Sequence, residues 1–131
     1  MDNNDLANIT QEMIDLLERV GWSKGVLEDY RNGIVVGYCT LGAYCEVTSR
    51  RYGTHPATTN GQWSEEFAAF LIHEKKVSRL RVVSFNLDSY ETITVWNDDA
   101  GSVDDIISGY RSFISYLKGG DTSGAMRTLT S

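Results

Sequence analysis

The polar side chains best suited to chemistry lie between Val95 and Ile107, in the stretch VWNDDAGSVDDII. Four of them are aspartates and one is an asparagine. Carboxylates in this number can bind a metal ion or transfer protons. The stretch lacks the D-x-D-x-D-G spacing and the distant glutamate of a calcium loop, and no histidine is near it in sequence. We therefore predict no metal site and no cofactor.

Part of this stretch is typical of the start of a helix. Ser102 and Asp105 have the three-residue spacing of a capping box, and acidic residues favour the positive end of a helix. Gly101 offers backbone freedom for the turn into that helix. Asn97 and Asp98 remain, at a point where we expect a strand to leave a sheet. They either hold the loop through an Asx-turn or bind a ligand, and we favour the first interpretation.

A cysteine nucleophile is the second chemistry to consider. Cys39 precedes a predicted helix, and a helix N-terminus lowers the pKa of a thiol. Cys39, His73 and Asn97 also follow one another in the chain order that papain-like hydrolases use. Such an order arises easily by chance, and a buried cysteine is a common core residue. We assign no catalytic residue and keep these three as the alternative interpretation.

These candidates depend on the elements that position them. Apolar residues at helical spacing predict an amphipathic helix over residues 5–20, capped by Asn3 or Asn4. Asn32-Gly33 predicts the turn of a hairpin with strands near 26–30 and 34–38. Helices are expected over 40–52, from Ser64 onward, and over 103–117. The glycine at position 42 would let another element approach the second helix closely.

Residues 79–96 alternate in two runs around residues 86–89, which predicts a second hairpin. The order of elements indicates an α+β fold, with about four helices packed against a small antiparallel sheet made of two hairpins. We expect one domain over residues 1–118 and a flexible C-terminal tail over 119–131.

Composition excludes several functions. The 131 residues carry a net charge of −6, which argues against non-specific binding of nucleic acid. The basic run Lys75–Arg81 is either a basic helix end or an anion-binding patch, and the first is favoured. No apolar run approaches the roughly 18 residues that span a membrane, and the N-terminus does not resemble a signal peptide. We expect a cytoplasmic protein with two reduced cysteines, Cys39 and Cys45.

Three motifs in order carry a family resemblance: GWSKG at 21–25, CTLGAY at 39–44 and WNDDAGSVDDIISGYRSFI at 96–114. The chain resembles a family of unknown function, made of short proteins from actinobacteria and their phages. It departs from that family in the extra sequence before Trp96. The resemblance implies a single cluster, of binding or structural role, that contains Trp22, Gly25, Cys39, Gly42, Ala43, Trp96, Asn97, Asp98 and Gly101.

Three functions fit this sequence. The first is a small accessory protein, encoded by a phage or mobile element, that binds a host or phage protein, with self-association as a further option. The second is a protein that binds a small molecule or nucleotide around Trp96, Asn97 and Asp98. The third is a cysteine-dependent hydrolase that uses Cys39. The sequence favours the first because it lacks a convincing catalytic set.

Overall fold

The structure is a computed structural model and describes residues 2–53 and 61–119. This part of the chain is mostly helical, with six helices and one two-stranded antiparallel sheet. Its elements are α1 Asn3–Arg19, β1 Glu28–Arg31, β2 Ile34–Tyr38, α2 Thr40–Tyr52, α3 Gln62–His73, α4 Arg79–Ser84, α5 Ser89–Asp99 and α6 Val103–Leu117. The α+β class is confirmed, whereas the expected four helices and two hairpins are not.

The first and last helices form one side of the core. Both carry the predicted apolar stripe, and α1 packs against α2 and α6. The cap of α1 is Asp2 rather than Asn3 or Asn4, because Asp2 and Asp5 form a reciprocal capping box. Asn3 instead donates a hydrogen bond of 3.1 Å to the carbonyl of Leu117, which ties the start of α1 to the end of α6.

The first predicted hairpin is present. Asn32 and Gly33 both have positive φ, at 53° and 78°, as a two-residue turn of this kind requires. The backbone of residues 21–23 adds to this sheet: Ser23 N donates to Tyr38 O, and Tyr38 N donates to Gly21 O, both at 3.0 Å. The sheet thereby holds Trp22 in a fixed position beside β2.

The second predicted hairpin is wrong, because residues 79–99 form helices α4 and α5. The β-branched residues of this segment suggested strands, but its buried side chains follow a helical period, at Thr92, Ile93, Trp96 and Asn97. The helix signal was a capping box in which Asp88 and Glu91 bond each other's backbone N–H groups.

Helix α3 begins before the expected cap. It starts at Gln62, after Gly61 in the left-handed conformation, so Ser64 lies within its first turn and is buried. This early start places Trp63 in the centre of the core, stacked on Tyr44 at 4.8 Å and on Phe67 at 4.9 Å between ring centroids. The aromatic stack joins α2 to α3 beneath α1.

Among the helices of the described residues, α4 alone has no buried residue. Leu80, Val83 and the following Phe85 are 75%, 71% and 72% exposed. Val82 packs against the core, and Arg81 forms a 2.9 Å ion pair with Asp99 of α5. The helix is therefore attached through one side and presents apolar side chains on the other.

No helix within the two described ranges has the length and apolar content needed to cross a bilayer. The proposed tail falls outside the described residues except for Gly119. The assignment of residues 1–118 to one domain stays a prediction.

Candidate functional site

The side chain of Asn97 is the centre of a buried polar cluster. It lies in the last turn of α5, not at the end of a strand as the sequence analysis expected, and is 1% exposed. Its Oδ1 accepts hydrogen bonds from Trp22 Nε1 at 3.0 Å, from Thr40 N at 3.0 Å and from Thr40 Oγ1 at 2.9 Å. Thr40 N is one of the N–H groups that a helix N-terminus leaves without a partner, so Asn97 caps α2 from a distant helix.

The other half of the Asn97 amide is also satisfied. Its Nδ2 donates to Ser23 O at 3.1 Å and to Asp98 Oδ1 at 3.2 Å. These partners fix the orientation of the amide, because the reverse orientation would point an NH2 group at the N–H groups of Trp22 and Thr40. Asn97 thus joins α5, α2 and the segment after α1 through five hydrogen bonds.

The cluster extends to α6 through Tyr110. This fully buried residue donates from its hydroxyl to Thr40 Oγ1 at 2.7 Å. Burial raises the pKa of Tyr110, which keeps its phenol protonated as the donor. We name the group the Asn97 cluster, with members Trp22, Ser23, Gly25, Thr40, Asn97, Asp98 and Tyr110. Sequence reasoning missed Ser23, Thr40 and Tyr110, since no spacing pattern connects residues so far apart.

Asp98 is the half-buried edge of the Asn97 cluster. Its Oδ1 accepts from Gly25 N at 3.0 Å as well as from Asn97, whereas its Oδ2 makes no hydrogen bond to the described part of the chain. The predicted role of Asn97 and Asp98 in holding a loop therefore has a geometric basis, but the loop is the one after α1. A ligand that reaches this edge of the cluster could bond to Asp98 Oδ2.

Cys39 stands beside this cluster as the N-cap of α2. Its Sγ accepts from Gly42 N at 3.4 Å, and Cys39 N donates to Leu27 O at 3.2 Å. Burial raises the pKa of the Cys39 thiol, the opposite of what a nucleophile requires, and the nearby Asp98 carboxylate acts in the same direction. His73 lines a separate cavity with Lys75 and Arg79, so Cys39, His73 and Asn97 do not share one cavity.

We expect Cys39 to react slowly with iodoacetamide at pH 7.5. In a Cys45→Ser variant, which leaves one thiol, labelling should be markedly slower than in urea, because burial shields the Cys39 sulfur and raises the pKa of its thiol. Mass spectrometry over time measures the rate. Equal rates in the native and unfolded states would contradict a protected thiol and revive the hydrolase interpretation.

Two glycines allow close packing of other groups on their helices. A Cβ on Gly109 of α6 would come within 2.5 Å of the Trp96 ring, so Trp96 packs on Gly109. Gly42 of α2 lies against the residue that precedes β1, where a Cβ would come within 1.9 Å of Leu27 O. The expected close approach at Gly42 is confirmed, with a backbone carbonyl as the partner.

The loop between α5 and α6 also differs in detail from the expectation. Ser102 is the N-cap of α6 but makes no side-chain capping bond, and Asp105 Oδ2 accepts from Gly101 N at 3.1 Å instead. Gly101 does not have a positive φ, so its conformation does not require glycine. The acidic first turn of α6 was predicted correctly.

Two cavities border these residues. The smaller, of about 130 Å³, is lined by residues 25–27, which precede β1, and by Cys39, Leu41, Thr94, Asn97 and Asp98. Ligand pockets usually measure about 300 Å³ or more, so this cavity is too small for a nucleotide. The larger, of about 280 Å³, lies between α5 and α6 and is lined by Lys76, Trp96, Asp99, Ala100, Gly101, Asp105, Ser108, Gly109 and Ser112.

Within residues 2–53 and 61–119, no three His, Cys, Asp or Glu side chains are grouped to hold a metal ion. The two cysteines are free thiols. The groups that the sequence singled out, Trp22, Gly25, Cys39, Gly42, Asn97 and Asp98, do lie together. Their hydrogen-bonding groups are mostly used by one another.

The fold and the Asn97 cluster define a mostly helical α+β domain whose distant segments are joined through one buried amide. The chain belongs to DUF6197, a family of unknown function whose model matches residues 1–114. No curated protein and no solved structure matches the sequence significantly.

Proposed function

We propose that this chain is a small accessory protein that acts by binding another protein rather than by catalysis. In this proposal it is encoded by a phage or mobile element of actinobacteria and acts in the host cytoplasm on a host or phage protein. The resemblance of the three sequence motifs supports the origin. The absence of a free nucleophile in the Asn97 cluster, among the residues described, supports a role other than catalysis.

The observation that carries the proposal is the exposure of α4. Leu80, Val83 and Phe85 are all more than 70% exposed within a span of six residues. Single exposed apolar residues are ordinary, but a contiguous group on one short helix is typical of an interaction surface. Since α4 buries none of its own residues, these side chains add little to the stability of the free protein.

Affinity purification from the native host tests this function. The wild-type chain should recover a stoichiometric partner, and the double variant Leu80→Ser with Val83→Ser should lose at least about nine-tenths of it, because interface cores depend on a few apolar anchors. Ile34→Ser is the matched control, since it removes an equally exposed side chain (67%) from the hairpin. All three proteins should unfold within about 0.5 kcal/mol of one another.

The proposal fails if repeated purifications recover no partner, or if the double variant retains it fully. Recovery that is lost only in Ile34→Ser would move the interface to the hairpin.

A small-ligand function is the second candidate, favoured by the larger cavity. This cavity is lined by the Trp96 ring, the Lys76 ammonium and the hydroxyls of Ser108 and Ser112. Its volume is near the lower end of the range that ligand pockets have. Asn97 and Asp98 do not line it. The nucleotide hypothesis thus moves from the Asn97 cluster to the opposite side of α5.

A thermal-shift screen with metabolites and nucleotides tests this candidate. A ligand at 100 times its Kd should stabilise the protein by about 2.7 kcal/mol. Ser108→Trp, a change at an exposed position, should fill the cavity and abolish the shift. A panel without any hit would remove this candidate, and a hit that Ser108→Trp retains would place the ligand elsewhere.

A further inference from the structure

The surface around α4 differs in charge from the rest of the chain. The chain carries 18 acidic and 12 basic residues, yet Lys75, Lys76, Arg79 and Arg81 occur within seven consecutive positions that hold no acid. We name the α4 surface by its members Lys75, Lys76, Arg79, Leu80, Val83 and Phe85, all of them exposed. It joins apolar and basic side chains on a protein that is otherwise acidic.

Three of the cations of this region are not neutralised. Arg81 pairs with Asp99, but Lys75, Lys76 and Arg79 form no ion pair with any residue in the described ranges. A single cation on a protein surface is usually paired or solvated. Three unpaired cations within five positions, beside exposed apolar side chains, favour the binding of a partner of opposite charge.

The backbone holds these cations in place. Lys75 has a positive φ of 59°, and Lys76 N donates to Leu71 O at 2.8 Å, which closes the C-terminus of α3. The next residue, Val77, is buried and anchors the turn. The lysines and Arg79 are therefore presented on a fixed turn, and less ordering is needed when a partner binds.

A groove adjoins the exposed apolar side chains of the α4 surface. A cavity of about 510 Å³ lies between the end of α3 and the start of α4, lined by Ile72, His73, Lys75, Val77, Ser78, Arg79 and Leu80. Leu80 belongs both to this groove and to the α4 surface, so the two are continuous. An amphipathic helix laid on such a surface would place its apolar side chains on Leu80 and Val83 and its flanking residues near the cations.

We propose that the α4 surface binds an acidic amphipathic helix of the partner protein. The proposal rests on the proposed function and names the chemistry of its partner. Carboxylates flanking the apolar face of that helix pair with Lys75 and Arg79, which line the groove together with Leu80. A nucleic acid fits less well because the protein as a whole is negative and half of the residues of the α4 surface are apolar. An anionic membrane is opposed by the same net charge and by the shortness of α4.

Fluorescence anisotropy with the full chain tests this proposal. The probes are three labelled peptides of about 18 residues: one with leucine at helical spacing and glutamate elsewhere, one with the same composition scrambled, and one with lysine in place of glutamate. The acidic amphipathic peptide should bind at least about tenfold more tightly than the others. Raising the salt from about 50 to about 500 mM should weaken it several-fold.

Two variants assign that binding to the α4 surface. Lys75→Gln with Arg79→Gln should weaken it at least about fivefold, and Leu80→Ser with Val83→Ser at least about tenfold. Arg31→Gln, at an exposed cation of the hairpin, is the control and should leave it unchanged. A scrambled peptide that binds equally well, a preference for the lysine peptide, or binding that survives both double variants would overturn the proposal.

Sedimentation of the chain alone and with vesicles of anionic phospholipid tests whether a second copy of the chain or a membrane binds to the α4 surface. Self-association or vesicle binding that the α4 variants abolish would overturn the proposal in favour of a second copy or a membrane. The outcome of the purification distinguishes the failure of this inference from the failure of the proposed function. A partner recovered through α4 that lacks an acidic helix refutes only this inference, whereas no partner at all refutes the proposed function.

Discussion

Replacing Asn97 by alanine is expected to lower the free energy of unfolding by about 3 kcal/mol or more. The change removes an acceptor from Trp22 Nε1 and Thr40 N and a donor from Ser23 O, and Thr40 and Asn97 are fully buried. Each buried polar group left without a partner costs about 1–3 kcal/mol. Domains are stable by only about 5–15 kcal/mol, so this single amide decides a large share of the total.

Urea denaturation followed by tryptophan fluorescence measures this loss. Thr94→Ala is the matched control, because Thr94 lies in the same helix and its exposed hydroxyl bonds only to Tyr90 O within the helix. It should change stability by less than about 0.5 kcal/mol. A loss of under about 1 kcal/mol for Asn97→Ala would mean that water replaces the amide and that the cluster is not structural.

Gly42→Ala is expected to destabilise the protein by about 1–3 kcal/mol, although alanine is the better helix former. The new Cβ would lie 1.9 Å from Leu27 O and 2.8 Å from Leu27 C, both backbone atoms. Moving that carbonyl weakens its 3.2 Å hydrogen bond from Cys39 N. Overpacking costs about 1–3 kcal/mol, and the gain in helix propensity, about 1 kcal/mol, offsets only part of the total.

Gly101→Ala provides the comparison. The φ of Gly101 is not positive, and an added Cβ would meet only the Asp105 carboxylate, at 3.3 Å. We expect a change of less than about 1 kcal/mol in thermal or urea unfolding. If the two glycine variants were equally stable, the close packing of the hairpin on α2 would not be a constraint.

The features that were predicted correctly have local signals in the sequence. These are the apolar stripes of α1 and α6, the Asn32-Gly33 turn and the close approach at Gly42, which all depend on a few neighbouring residues. The prediction was wrong between residues 79 and 99, where β-branched residues such as Val82 and Thr92 favour strands by propensity. Tertiary burial of Ile93 and Trp96 outweighs that propensity, and the capping box at Asp88 was the local signal that opposed it.

The Asn97 cluster was anticipated only in part. The motifs that resemble a family grouped Asn97, Asp98, Trp22 and Gly25 together. Ser23, Thr40 and Tyr110 were missed, and Trp96 packs against Gly109 instead. The hydrogen bonds of the cluster could not be predicted, because partners separated by 57 to 75 residues produce no periodic pattern in a sequence. The role assigned to Gly101 was wrong. A glycine at this position suggested a backbone conformation with positive φ, but the φ of Gly101 is not positive.

The Asn97 cluster also has a consequence for the order in which the chain folds. Three of its hydrogen bonds link positions that are 57, 70 and 75 residues apart, and they form only after α2, α5, α6 and the segment around Trp22 have met. Closing chain segments of this length costs conformational entropy, and we expect these contacts to form after the rate-limiting step. We expect Asn97→Ala to leave the refolding rate nearly unchanged and to accelerate unfolding, so that this amide sets the lifetime of the native state rather than the speed of reaching it.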